Sequence, residues 1–250
     1  MKAQKHTIKL LLSGLFALCL ALQANAQVYE IVDYKKRAAI ARDHIRNLHD
    51  GTLVIRLRSK SNNIKAMKRA LASDNLSSKE RKRLTKRLDR LTKEIKNENH
   101  KIVDALRAHY TFSEYRMVLD TAIHELFEKK ENGYFLNEKL ETDPDLSIDF
   151  NKPVYILKYG PTKTANNNRH EGLIFTDFEK NDLESPFPYL TKVMWPRLAV
   201  FSFFVGKNDP SPRYYKMIEH TNNALHKFYA QSEIKREKDK LRQQIKDLKD

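Results

Sequence analysis

The sequence predicts an α/β (or α+β) fold: a mixed sheet with packed helices, a protruding basic helical hairpin and a C-terminal helix. Three observations predict it. Short β-type runs, such as Leu53 to Leu57 and Val154 to Leu157, are separated by helical periodicity early in the chain and by turn residues later. Apolar residues from Ile64 to Ala105 recur at spacings of three and four, broken once at Ser73-Asp74-Asn75. From Arg213 onward helical spacing runs to the end of the chain. Strands alternating with helices, followed by strands joined through turns, give a mixed sheet with helices packed on it.

The first element is an expected export signal, residues 1–26. Lys2, Lys5 and Lys9 precede an apolar run from Leu10 to Leu22, too short to span a bilayer. Ala24-Asn25-Ala26 then places small residues where a signal peptidase reads them, with Gln27 as the expected new N-terminus. Cys19 is the only cysteine; it follows Leu18 inside the apolar run, which does not fit a lipoprotein site. Cleavage would remove it, so disulfides, thiolate metal sites and cysteine nucleophiles are not expected in the mature chain. The remainder is expected to form a single α/β domain over 27–230, with the helical hairpin inserted at 60–110, and a charged helical tail over 231–250. No later segment is long and apolar enough to cross a membrane, and the expected location is periplasmic or secreted.

Residues Val28 to His49, with Ile31, Ala38, Ala39, Ile40, Ile45 and Leu48 as apolar positions, read as a first helix that Asp50-Gly51 ends. Leu53, Ile55 and Leu57 then alternate on one face of a strand. Ile64, Met67 and Leu71 make a short amphipathic helix. Ser77-Ser78-Lys79-Glu80 has the form of a capping box for the next helix. Beyond it Leu84, Leu88, Leu91, Ile95, Ile102 and Ala105 form a heptad stripe, with Glu98 interrupting it. The two helices are expected to pair as an antiparallel hairpin with its tip near Ser73 to Ser78. A strand over Tyr115 to Leu119, a helix over Thr121 to Lys130 and a short strand over Gly133 to Leu136 follow. Leu146, Ile148 and Phe150 alternate with acids, predicting a half-exposed strand that a turn at Asn151-Lys152 joins to Val154 to Leu157. Gly172 to Thr176 and the apolar run Leu198 to Val205 predict further strands. A final helix near Arg213 offers Met217, Ile218, Leu225, Phe228 and Tyr229 as its core face.

Charge is unevenly distributed. The chain carries a net +15, and Arg56 to Lys101 alone holds sixteen Lys/Arg against five acids. Lys79, Arg81, Lys82, Arg83, Lys86, Arg87 and Arg90 are the densest part and the candidate polyanion- or partner-binding residues. Basic patches bind polyanions by releasing counterions, although charge runs also simply serve solubility. Outside the cytoplasm the polyanions are lipid headgroups, lipopolysaccharide and acidic polysaccharide. Specific nucleic-acid binding is not expected, because no aromatics are interleaved for base stacking.

Several stretches, Gly51-Thr-Leu-Val-Ile-Arg-Leu57, Gly133-Tyr-Phe-Leu-Asn137 with Asp143 to Ile148, and Pro186-Phe-Pro-Tyr189, resemble a family of small exported bacterial proteins. The resemblance implies no activity and no ligand.

No catalytic or metal-binding motif is complete. His124-Glu125-Leu126-Phe127-Glu128 starts like a zinc-protease helix but has Glu128 where the second His belongs. Asp143, Asp145, Ser147 and Asp149 alternate like a calcium loop, yet Ile148 and Val154 stand at the Gly and Glu positions. Alternation on the wet face of a strand accounts for these acids. Gly160-Pro161-Thr162-Lys163-Thr164 lacks the second glycine of a phosphate loop. Arg169 and His170 follow an Asn-rich loop before a strand and are the candidate catalytic residues. Trp195 and Phe201, Phe203 and Phe204 fit a buried strand better than an exposed patch. No cofactor and no metal are expected. The reading is therefore an exported cell-envelope interaction or scaffolding protein whose basic arm contacts an envelope protein or an anionic surface. The alternative is an extracytoplasmic, hydrolase-like enzyme with a site near His170.

Overall fold

The computed structural model describes residues 33–73, 75–161, 171–183, 185–188, 190–192 and 211–248. Residues 1–26, read above as an export signal, together with Arg169, His170, Trp195 and the run Leu198 to Val205, lie outside the described residues. Helix α1 covers residues 33–50. It leads into β1 (Thr52–Leu57), α2 (Ser61–Ala72), α3 (Ser78–His109), β2 (Glu114–Leu119) and α4 (Ile123–Lys129). After these come β3 (Val154–Pro161), β4 (Glu171–Thr176), β5 (Leu190–Lys192) and the long α5 (Ser211–Asp247).

The five strands form one mixed sheet in the order β2-β1-β3-β4-β5. β1 is central and parallel to both neighbours: Val54 lies beside Arg116 of β2 and Ile156 of β3. β4 returns antiparallel to β3, and β5 antiparallel to β4. Both faces of the sheet are covered. Leu53, Ile55 and Leu57 of β1 join Tyr155, Leu157 and Phe175 under Ile45 and Leu48 of α1, Val103 and Leu106 of α3, and Met217, Ile218 and Leu225 of α5. Val54, Val118 and Ile156 face the other way, against Leu126 of α4, Phe135 and Ile148. The predicted alternation of β1 is therefore correct for one face, while on the opposite face Val54 is buried as well and Arg56 beyond it is exposed.

Several sequence expectations are corrected. Gly133 to Leu136 is no strand: Gly133 sits at φ +104, and only Leu136 bridges, to Met117 and Thr142. Residues 146–150 are also irregular. The Asp143 and Asp149 carboxylates accept bonds from the backbone N–H groups of Asp145 and Asn151, at 3.0 and 2.9 Å, so the acids shape turns rather than the wet face of a strand. A turn does close at Lys152, whose N–H reaches Asp149 O, but β3 pairs in parallel with β1 rather than in a hairpin with 146–150. Ile40, expected among the apolar positions of α1, is exposed, because the buried face of that helix runs through Ala41, Ile45 and Leu48.

The α2–α3 hairpin is inserted between β1 and β2 and projects from the body. α2 has no buried residue, and α3 has none before Ile95. The capping box is present: Ser77 accepts from Glu80 N–H while the Glu80 carboxylate accepts from Ser77 N–H. The apolar seam holds as far as Ile95, where the helix changes partner. Toward the sheet, Asn99, Val103 and Leu106 are buried alongside Ala105, and Ile102 is only half-buried. The stripe expected through Ile102 thus rotates as α3 leaves α2 and meets the core.

Candidate functional site

Two cation-rich regions stand out, one at each end of the hairpin. The first is the outer face of α3. Lys79, Lys82, Arg83, Lys86, Arg90 and Lys93 recur at helical spacings of three and four, which stacks them along one face. The apolar seam Leu84, Leu88, Leu91 and Ile95 runs along the opposite face, so the cations point away from α2. All six are exposed. Among the described residues only Arg90 of this stripe is in an ion pair, with Glu94 at 3.7 Å. Arg87 is exposed beside the stripe. Arg81 plays a different part. Its guanidinium donates to Leu71 O at 2.6 Å and Ser73 O at 3.0 Å. It thereby satisfies carbonyls at the C-terminal end of α2 and fastens the two helices at the tip.

The second region lies at the root of the hairpin, beyond the carboxyl ends of β1 and β3. There Arg56, Arg58, Lys60, Asp120, Lys158, Tyr159 and Asp182 line a cleft of about 550 Å³. The Arg58 guanidinium lies over the Tyr159 ring at 4.5 Å and donates to Tyr159 O at 3.0 Å. Lys158 pairs with Asp182 at 2.7 Å. Asp120 accepts from Ser59 N–H at 3.0 Å and from the Ser59 hydroxyl. On the other side, buried Asn99 donates to Arg58 O at 3.0 Å. These two clamps fix residues 58–60, and Lys60 enters α2 in the left-handed region at φ 49. A smaller recess of about 230 Å³ adjoins the cleft and shares Arg56 and Lys158 with it. Its remaining walls include Ile123, His124, Phe127 and Ile156.

No protein-family model, curated protein or solved structure matches this chain. The reading of the two regions therefore rests on their own chemistry.

Of the other sequence candidates, His124 does contact Glu128, at 3.1 Å on the exposed side of α4. No cluster of three or more metal-binding side chains forms among the described residues. Arg169 and His170 fall outside them, between β3 and β4 in the sequence. The described strand ends on either side of that segment, Pro161 and Glu171, are paired across the β3–β4 ladder at the end where the cleft opens. Sequence reasoning missed Arg56, Arg58, Lys60, Asp120, Lys158 and Asp182 as a group. They come from four separate segments, which only the strand order β2-β1-β3-β4 brings together. The one signal in the sequence was a pair of arginines closing an otherwise apolar strand.

Burial, the largest influence, holds the His44 imidazole below its usual 6.5, against the opposing fields of Asp177 and Asp43. Its Nδ1 lies 2.9 Å from the hydroxyl of Tyr155, which burial pushes up to about 12. This pair joins α1 to β3, away from both cationic regions. It is a structural contact between two neutral groups.

Proposed function

We propose that the chain is an exported binding protein of the cell envelope, holding an anionic surface through the outer face of its basic hairpin. The observation that carries this reading is the segregation of charge on α3, with exposed cations on one side and the apolar seam on the other. Any amphipathic helix sets its charges opposite its apolar seam; here those charges are mostly of one sign, with eight Lys/Arg against two acids from Lys79 to Lys93. The leader-like N-terminus supports an extracytoplasmic setting, where anionic lipid and polysaccharide surfaces are available. Among the described residues no helix is long and apolar enough to cross a membrane. Contact would then be peripheral and electrostatic.

Each Lys or Arg held near an anionic leaflet contributes about 1 kcal/mol at moderate salt. Changing Lys79, Lys82, Arg83, Lys86 and Arg90 together to Gln is therefore expected to weaken binding by roughly four thousandfold. The test is co-sedimentation with phosphatidylglycerol-containing vesicles against neutral phosphatidylcholine vesicles. Wild-type chain should sediment with the anionic vesicles at low salt and be released at about 0.5 M salt, where screening is short-ranged. The quintuple variant should stay in the supernatant. Equal sedimentation of both proteins, or salt-independent binding, would remove the arm from this role. Because α3 supplies Val103, Ala105 and Leu106 to the core, the comparison must use substitutions at the exposed face, not deletion of the whole hairpin.

A further inference from the structure

We propose that the cleft at the root of the hairpin is a second binding site, specific for a small phosphate monoester, independent of the polyanion-binding face of α3. Its position follows from topology. β1 leads through α2 and α3 to β2 on one side of it, whereas β3 leads to β4 on the other. The chain thus diverges between β1 and β3 at their carboxyl ends, and such divergence points leave a crevice where ligands of open α/β sheets bind. Here the crevice is real and lined from several segments.

Its charge identifies the class of ligand. Arg56 and Lys158 are register partners on adjacent parallel strands, so two cations stand side by side. Like charges in that relation repel. Asp182 neutralises Lys158, but among the described residues nothing neutralises Arg56. Arg58 and Lys60 add two further cations, while Asp120 is engaged by Ser59. Arg58 is engaged with Tyr159, which leaves Arg56 and Lys60 as an excess of two cations without an ion pair among the described residues. A phosphate monoester carries about −1.5 to −2 at neutral pH and offers three acceptor oxygens, matching that excess better than a single carboxylate. The organic part of the ligand has a place to go. The adjoining recess shares Arg56 and Lys158 and is otherwise lined by the apolar Ile123, Phe127 and Ile156 and the polar His124, Thr176 and Lys180, whose ammonium lies over the Phe127 ring at 4.5 Å. A phosphate between Arg56, Lys60 and Lys158 directs its ester group into that recess.

Isothermal titration calorimetry on the full chain tests this with phenyl phosphate, inorganic phosphate and phenylacetate as probes. Phenyl phosphate is expected to bind at one site, more tightly than either of the other two. Arg56→Gln should weaken it about tenfold or more, in keeping with loss of a charge-assisted contact. Phe127→Ala should weaken phenyl phosphate while leaving inorganic phosphate unchanged. Lys86→Gln, on the outer face of α3, should change neither. The Arg56 side chain is exposed and makes no hydrogen bond or ion pair among the described residues, so its variant should keep the wild-type melting temperature, which is checked alongside. Absence of saturable heat with phenyl phosphate would overturn the proposal. So would equal binding by Arg56→Gln, equal affinity for phenylacetate, or a loss that follows Lys86→Gln instead. The last result would assign the anion to the arm and leave the membrane-binding reading standing without a second site.

Discussion

At Gly51 a methyl group would lie 2.1 Å from the Pro153 carbonyl oxygen and 2.6 Å from that of Asn47. The sequence reads this glycine as the stop after α1. Its physical necessity is the close passage of the β1 entry past the β3 entry, where Thr52 N–H also donates to Pro153 O. Gly51→Ala must force the two parallel strands apart, and a loss of about 1–3 kcal/mol is expected from the denaturant midpoint. His44 gives a pH dependence. Its folded pKa is below the unfolded 6.5, so the unfolded chain takes up the proton first as pH falls. Stability contributed by neutral His44 is full above about pH 6.5 and is lost as pH falls through the depressed folded value. His44→Gln should therefore flatten the fall in stability between pH 7 and about pH 5. Identical pH profiles for the two proteins would show that His44 is not responsible. Neither residue's role is visible in its sequence neighbourhood, because each depends on a strand more than one hundred positions away.

Among the elements, the hairpin was the most legible in the sequence and the segment before β3 the least. Helical spacing and a capping box are local, so the seam Leu84, Leu88, Leu91 and the start at Ser77 could be read directly. Ser77→Ala should cost about 1 kcal/mol of local stability, appearing as faster amide exchange in the first turn of α3. What could not be read was the change of partner after Ile95. Asn99 stands off the stripe, next to the interruption at Glu98, yet it is buried and holds the end of β1 through Arg58 O. Asn99→Ala leaves that carbonyl without its donor and should destabilise the chain by about 1–3 kcal/mol. Faster exchange at the start of α2 should accompany the loss, whereas an unchanged rate there would mean that Asp120 alone holds the root. The strand predicted over residues 145–150 failed for a related reason. Alternation marks a strand only when the backbone is free to pair, and Asp143 and Asp149 bind their own backbone instead.

On the scale of the whole molecule, a sheet covered on both faces supports a charged lever, and the two cationic regions sit at opposite ends of that lever. The mixed fold and the basic arm follow from composition and period, which any contiguous segment reveals. The cleft at the strand ends does not, because its residues meet only through the order β2-β1-β3-β4. α5 extends the body further. Arg46 of α1 donates to buried Ser232 at 2.8 Å, and beyond that point Ile234, Leu241 and Ile245 are exposed. The tail is basic too, so it is the natural rival to the hairpin for an anionic surface. Lysine acetylation footprinting of the full chain on phosphatidylglycerol vesicles separates the two most directly. The account predicts protection of Lys79, Lys82, Lys86 and Lys93, reversed by salt, with Lys235, Lys238 and Lys240 labelled as in free protein. Protection confined to the α5 lysines, with the α3 lysines labelled at their free rate, would contradict it.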